Sequence, residues 1–95
     1  MRMLLTVKMP VDTGNKAIKE GSLQNVIQDF KDRAKPEAIY FGALEGKRSM
    51  IAVFDLASPS QIPSLAEPFF TKLDATFELM PVMDADDLKT GLSLL

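Results

Sequence analysis

Two small sets of side chains in this sequence could do chemistry. Lys8 and Glu78 lie on segments that read as strands and, by parity with Thr6 and Met80, fall on one sheet face. An ammonium beside a carboxylate could bind a small polar ligand or take a proton from it. A structural ion pair, or two separate rim charges, explains the same spacing and is the favoured interpretation. The second set is Tyr40, the only tyrosine, with Ser49 and Asp55 on the same face and Gly42 leaving room beside it. A phenol there could orient a phenolic or carbonyl substrate while Asp55 acts as base. The plainer alternative is preferred: an interface tyrosine bonded across a dimer, with Asp55 closing its strand ahead of a cap at Ser58.

Composition removes most other mechanisms. The chain has no Cys and no His, so a thiol nucleophile, a Ser-His-Asp arrangement, an imidazole ligand for haem and an ordinary structural zinc site are all excluded. Carboxylates, Lys, Arg, Tyr, hydroxyls or a borrowed cofactor are left; no cofactor and no metal is expected. Glu45-Gly46-Lys47-Arg48-Ser49 superficially suggests phosphate binding. Gly42 is one residue too close for a P-loop, and Lys47 leads into a strand rather than a helix, so a solvated hairpin turn is expected. Asp84, Asp86 and Asp87 read as helix-start charges rather than a magnesium cluster. Met50 and Met80 read as gap fillers rather than soft-metal ligands.

The 11 basic and 13 acidic residues, a formal charge of -2, leave no basic excess for phosphates or an anionic membrane, and no nucleic-acid partner is expected. Apolar residues make up 46% of the chain without the run of ~18 or more that a spanning helix needs. No membrane association and a cytoplasmic location are expected. Ninety-five residues suit one domain spanning 1–95, able to bury roughly 60 to 65% of its unfolded surface.

The elements that must position these residues centre on Ala38 to Leu56, two apolar runs joined by Glu45-Gly46-Lys47. A tight hairpin there puts Ile39, Phe41 and Ala43 with Met50, Ala52, Phe54 and Leu56 on one face. The other face takes Ala38, Tyr40, Gly42 and Leu44 with Ser49, Ile51, Val53 and Asp55. The first set must lie under helices; the second is smaller, mixed and still too apolar for water. Met3 to Met9 reads as a strand. A helix follows with Asp12 or Thr13 as cap, carrying Leu23, Val26, Ile27, Phe30 and Ala34 at helical spacing; Gly21-Ser22 allows a restart with Ser22 as cap, and Pro36 ends it. Ser58-Pro59-Ser60-Gln61 forms a capping-box signature ahead of a stripe at Ile62, Leu65, Ala66, Phe69, Phe70 and Leu73. Pro68 predicts a kink, with Phe69 and Phe70 both aimed at the core. Ala75 to Val82 reads as an edge strand because it contains Pro81. A short helix from Asp84, with Leu88 and Leu92 on its apolar side, completes the chain.

Strand, helix, strand, strand, helix, strand is the α+β, ferredoxin-like βαββαβ pattern, with antiparallel strand order 4-1-3-2. Its helices cover one sheet face, yet the other carries Leu4, Tyr40, Leu44, Ile51, Val53 and Met80, more apolar surface than a monomer normally shows. Through element order, the hairpin, the Phe69-Phe70 pair and Pro81-Val82, the chain resembles the dimeric α+β-barrel superfamily. That group includes antibiotic-biosynthesis-type monooxygenases, muconolactone isomerases and small bacterial families without a known reaction. The resemblance implies a homodimer with sheets packed face to face around a pocket; haem degradation is not carried over, because the histidine ligand is missing. The expected function is binding of a small apolar or aromatic molecule between the sheets, with Tyr40, Asp55, Lys8, Glu78, Ser49, Ile51 and Val53 as candidate pocket residues. The alternatives are a cofactor-independent monooxygenase or isomerase of small aromatic or lactone compounds, and a regulatory or structural dimerisation module.

Overall fold

Glu45 and Gly46 both adopt positive φ, 55° and 74°, the pair of left-handed residues with which a two-residue turn matches the twist of its flanking strands. That turn sets the register of the sheet. In the computed structural model, which describes residues 1–95, β2 (Ala38–Leu44) and β3 (Lys47–Asp55) pair from Leu44 opposite Lys47 to Ala38 opposite Val53. The central strand β1 (Arg2–Lys8) lies antiparallel to β3, with Leu4 opposite Val53 and Lys8 opposite Ser49. On its other side β1 pairs with β4 (Thr76–Pro81), which places Pro81 at the end of an edge strand, where its missing N–H costs no ladder bond. The order β2-β3-β1-β4 is the expected 4-1-3-2 read from the other edge. With helices between β1 and β2 and between β3 and β4, this α+β topology is compatible with a ferredoxin-like fold.

The first connection is two helices, α1 (Val11–Glu20) and α2 (Ser22–Ala34), broken at Gly21. The sequence allows this break, but the capping differs from the one it suggests. Gly21 takes φ 77° and donates its N–H to the Ile18 carbonyl, so one left-handed glycine ends α1 and opens α2. Ser22 is the first residue of α2 and donates its hydroxyl to the Ala17 carbonyl instead of capping. Asp12 and Thr13 do not cap α1 either. Pro10, at φ -59° and ψ 145°, leads directly into Val11, and its carbonyl accepts the Gly14 N–H at 2.9 Å, so the helix is already under way when Asp12 is reached.

The second connection begins as its sequence proposes. Ser58 and Gln61 form a capping box around the 3-10 turn Pro59–Gln61, which runs into α3 (Ile62–Leu73) with Pro68 inside it. Helices α2 and α3 cover one face of the sheet. Met3, Leu5 and Val7 of β1 meet Met50, Ala52 and Phe54 of β3, and Val26, Phe30, Leu65, Phe69 and Leu73 close over them. The ring of Phe30 stands edge-on to Phe54 at 5.6 Å and to Phe69 at 5.9 Å, the offset geometry that aromatic quadrupoles prefer. Phe70 does not join them, contrary to expectation. It is 42% exposed and touches only the edge, against Phe77 at 6.1 Å, because successive helical residues point about 100° apart and Phe69 occupies the inward direction.

The last helix, α4 (Ala85–Leu92), is capped by Asp84, whose carboxylate accepts the Asp87 N–H at 2.8 Å while Asp87 returns the bond. Every residue of α4 is exposed, Leu88 and Leu92 included. It is tethered at its start by Arg2, which donates to Asp84 at 3.4 Å. No helix is long and apolar enough to cross a membrane.

The two neighbouring phenylalanines offer a direct check of where the core lies. Phe69→Ala should destabilise the fold by about 3 to 5 kcal/mol, a large share of the roughly 5 to 15 kcal/mol available to a domain. Phe70→Ala should cost only about 1 kcal/mol. Urea denaturation followed by circular dichroism reads both.

Candidate functional site

The registers place the open face of the sheet in cross-strand rows. Ala38, Val53, Leu4 and Met80 form one row across all four strands; Tyr40, Ile51, Thr6 and Glu78 form the next; Gly42, Ser49, Lys8 and Thr76 form the third. The alternation that sends Met3, Leu5 and Val7 into the core sends Leu4, Thr6 and Lys8 here. Beyond the first row Arg2 stands opposite Asp55, so the aliphatic middle of the face lies between that charged pair and the polar row near the hairpin turn. Tyr40 is 70% exposed and Met80 55%, whereas Leu4, Ile51 and Val53 are only half-buried by their neighbours in the sheet.

Lys8 and Glu78 share this face, one row apart on adjacent strands. The closest partner of Lys8 is a different carboxylate: its Nζ donates to Glu45 Oε1 at 2.6 Å. Glu45 holds the Lys8 ammonium above the ordinary lysine range, Glu78 adding a weaker attraction, and Lys8 pulls the Glu45 carboxyl below its ordinary value. Sequence parity could not find Glu45, because it is a turn residue in left-handed conformation and belongs to neither strand face. The group lines a shallow polar groove of about 300 Å³ that also includes Lys47, Asp74, Thr76 and Glu78.

Tyr40, Ser49 and Asp55 do not come together. Asp55 lies four positions along β3 from Ile51, the residue opposite Tyr40, which is ~13 Å at the usual strand rise. Its Oδ1 accepts from the Met1 ammonium at 2.7 Å, so it closes the strand end instead of serving the phenol. Ser49 is buried and its hydroxyl is committed to the hairpin, accepting the Leu44 N–H at 3.3 Å and donating to the Lys47 carbonyl at 3.0 Å. Ile51 and Val53 occupy the middle of the open face, as parity requires. What these residues can offer a ligand is an aliphatic floor with one aromatic side chain at its edge and charged groups at both ends, Lys8 and Glu78 toward the hairpin turn and Arg2 opposite Asp55 beyond Leu4 and Val53. No base stands beside the phenol.

The acidic residues near α4 are structural in the same sense. Asp84 holds the helix start and Arg2, and the Asp87 N–H keeps its carboxyl below the ordinary range. No group of three candidate ligand side chains is arranged to hold a metal ion.

The contact between Lys8 and Glu45 gives the turn a pH dependence whose sign follows from the depressed carboxyl. The stabilisation is complete above the ordinary Glu value of about 4.3 and is lost as pH falls through the lower folded value. A carbon-detected NMR titration should find Glu45 titrating below ~4.3. Lys8→Met should raise it toward that value, Lys47 still exerting a weaker pull, and Glu78→Gln should leave it unmoved.

Neither protein-family models nor curated proteins give a match to this chain.

Proposed function

We propose that the chain works as a homodimer, in the manner of the dimeric α+β barrels it resembles, with the open faces of two sheets packed together around a small apolar or aromatic molecule. The observation that carries this is the row Ala38, Val53, Leu4 and Met80, extended by Tyr40 and Ile51, which crosses all four strands with no helix over it. Burial against a second copy removes this surface from water at about 25 cal/mol per Å² of apolar area. Met83, Leu88 and Leu92, which follow β4 in the chain, are exposed as well. A self-complementary face is the usual basis of a two-fold dimer. A dimer of this kind suits a cytoplasmic binding protein.

Binding is preferred to catalysis on geometric grounds. An enzyme using Tyr40 needs a proton acceptor within hydrogen-bond reach. Asp55 is at the strand end, and Glu78 lies three strands across from Tyr40 in the same row, about 14 Å at the usual strand spacing.

Sedimentation should therefore find a dimer at micromolar concentration. Ile51→Glu places a charge in the centre of the interface and should weaken association at least ~100-fold, about 2.7 kcal/mol, without changing the circular dichroism spectrum. The neutral fluorophore N-phenyl-1-naphthylamine should brighten with the dimer and not with the variant. A wild-type monomer would overturn the proposal; a dimer that leaves the fluorophore dark would make the interface a structural or regulatory contact.

A further inference from the structure

A cavity of about 190 Å³ opens on the opposite, helix-covered side of the sheet, walled by Val7, Met9, Leu23, Ile27, Phe41 and Met50. It exists because β2 is an edge strand that the helices do not fully cover. Phe41 stands opposite Met50 on the core-facing side of the hairpin, yet it is 58% exposed. The ring that could fill the space stays at its mouth. Interiors are normally packed without voids much larger than a water molecule, so an open apolar cavity of this size invites an occupant.

The polar groups around it are already engaged. The Ser49 hydroxyl is held between Leu44 and Lys47. Arg48 contributes to the wall, and its guanidinium is drawn to α1, donating to the Val11 carbonyl at 3.3 Å and to Asn15 Oδ1 at 2.9 Å. Gly14 makes room for it, since a Cβ there would lie 2.7 Å from the guanidinium. The remaining wall is hydrocarbon and thioether, which rewards burial of apolar surface and gives a charged ligand no replacement for its lost hydration.

We infer that this cavity is a binding site within each protomer for a small neutral apolar molecule the size of one substituted ring. An apolar cavity of about 150 Å³ stays dry and admits benzene, so this one takes a ring with a short substituent. The site needs neither the dimer nor a compartment between open faces, and lies across the sheet from both.

Methyl-labelled NMR titration of the intact chain with toluene and with benzoate tests it. Toluene should produce saturable shifts of the Val7, Met9, Leu23 and Ile27 methyls, and benzoate none. Leu23→Phe or Ile27→Phe, either of which fills the cavity, should weaken toluene binding at least tenfold, while Ile51→Glu on the open face should change it less than twofold. Shifts confined to Leu4, Ile51, Val53 and Met80 would overturn this inference and leave the proposed dimer compartment standing. Absence of saturable shifts at the helix-side methyls would overturn it whatever the dimer does. Benzoate binding as tightly as toluene would overturn the neutral class, by showing that Arg48 leaves α1 to meet a carboxylate.

Discussion

A sheet whose central strands carry apolar side chains on both faces, with helices to cover only one, is the constraint from which the rest of this molecule follows. Leu5 and Val7 of β1 are wholly buried, whereas Leu4 and Thr6, which alternate with them, are only half covered. The difference is not one of residue type, since leucine appears on both sides. It comes from topology: both crossovers of this pattern place their helices on the same side. A strand of period two then sends half of its side chains toward a surface that the chain itself never covers. An apolar face of that kind is more than a monomer normally shows, which is why self-association, rather than any reactive side chain, is the property proposed first.

Where local rules determined an outcome, the sequence was legible. The hairpin parity holds because either tight turn preserves the faces, and the capping box at Ser58 and Gln61 holds because both side chains serve the backbone beside them. The misses have two causes. Asp12, Thr13 and Ser22 have the chemistry of caps, but the backbone conformations of Pro10 and Gly21 set the helix boundaries before those side chains could act. Phe70 fits the helical stripe by spacing, yet one residue direction is enough to bring it to the edge.

The candidate site was legible by face and not by partner. Parity put Lys8, Glu78, Tyr40, Ile51 and Val53 on the open face, and the registers agree. It could not say that Asp55 would answer the Met1 ammonium, or that Lys8 would reach a turn carboxylate, because both contacts are made at strand ends, where alternation stops constraining direction. The helix-side cavity left one overlooked trace. Arg48 has the parity of Met50, Ala52 and Phe54, a guanidinium on the core-facing side, and its departure toward α1 is part of why the wall beside it is apolar.

Strand β2 joins these observations. It has a ladder partner on one side only, and most of its residues are exposed. Tyr40 and Phe41 are adjacent on it and point to opposite faces, one toward the proposed dimer compartment and the other to the mouth of the cavity. An edge strand with few buried contacts belongs to the low-stability end of a fold, and an unpaired edge also invites unwanted pairing. Here the tip is restrained by charge: the Lys8 and Glu45 contact ties the turn to the central strand. This thinly packed strand is thus held at its turn while its middle is left free on both sides, and that middle carries Tyr40 beside one proposed ligand space and Phe41 at the mouth of the other.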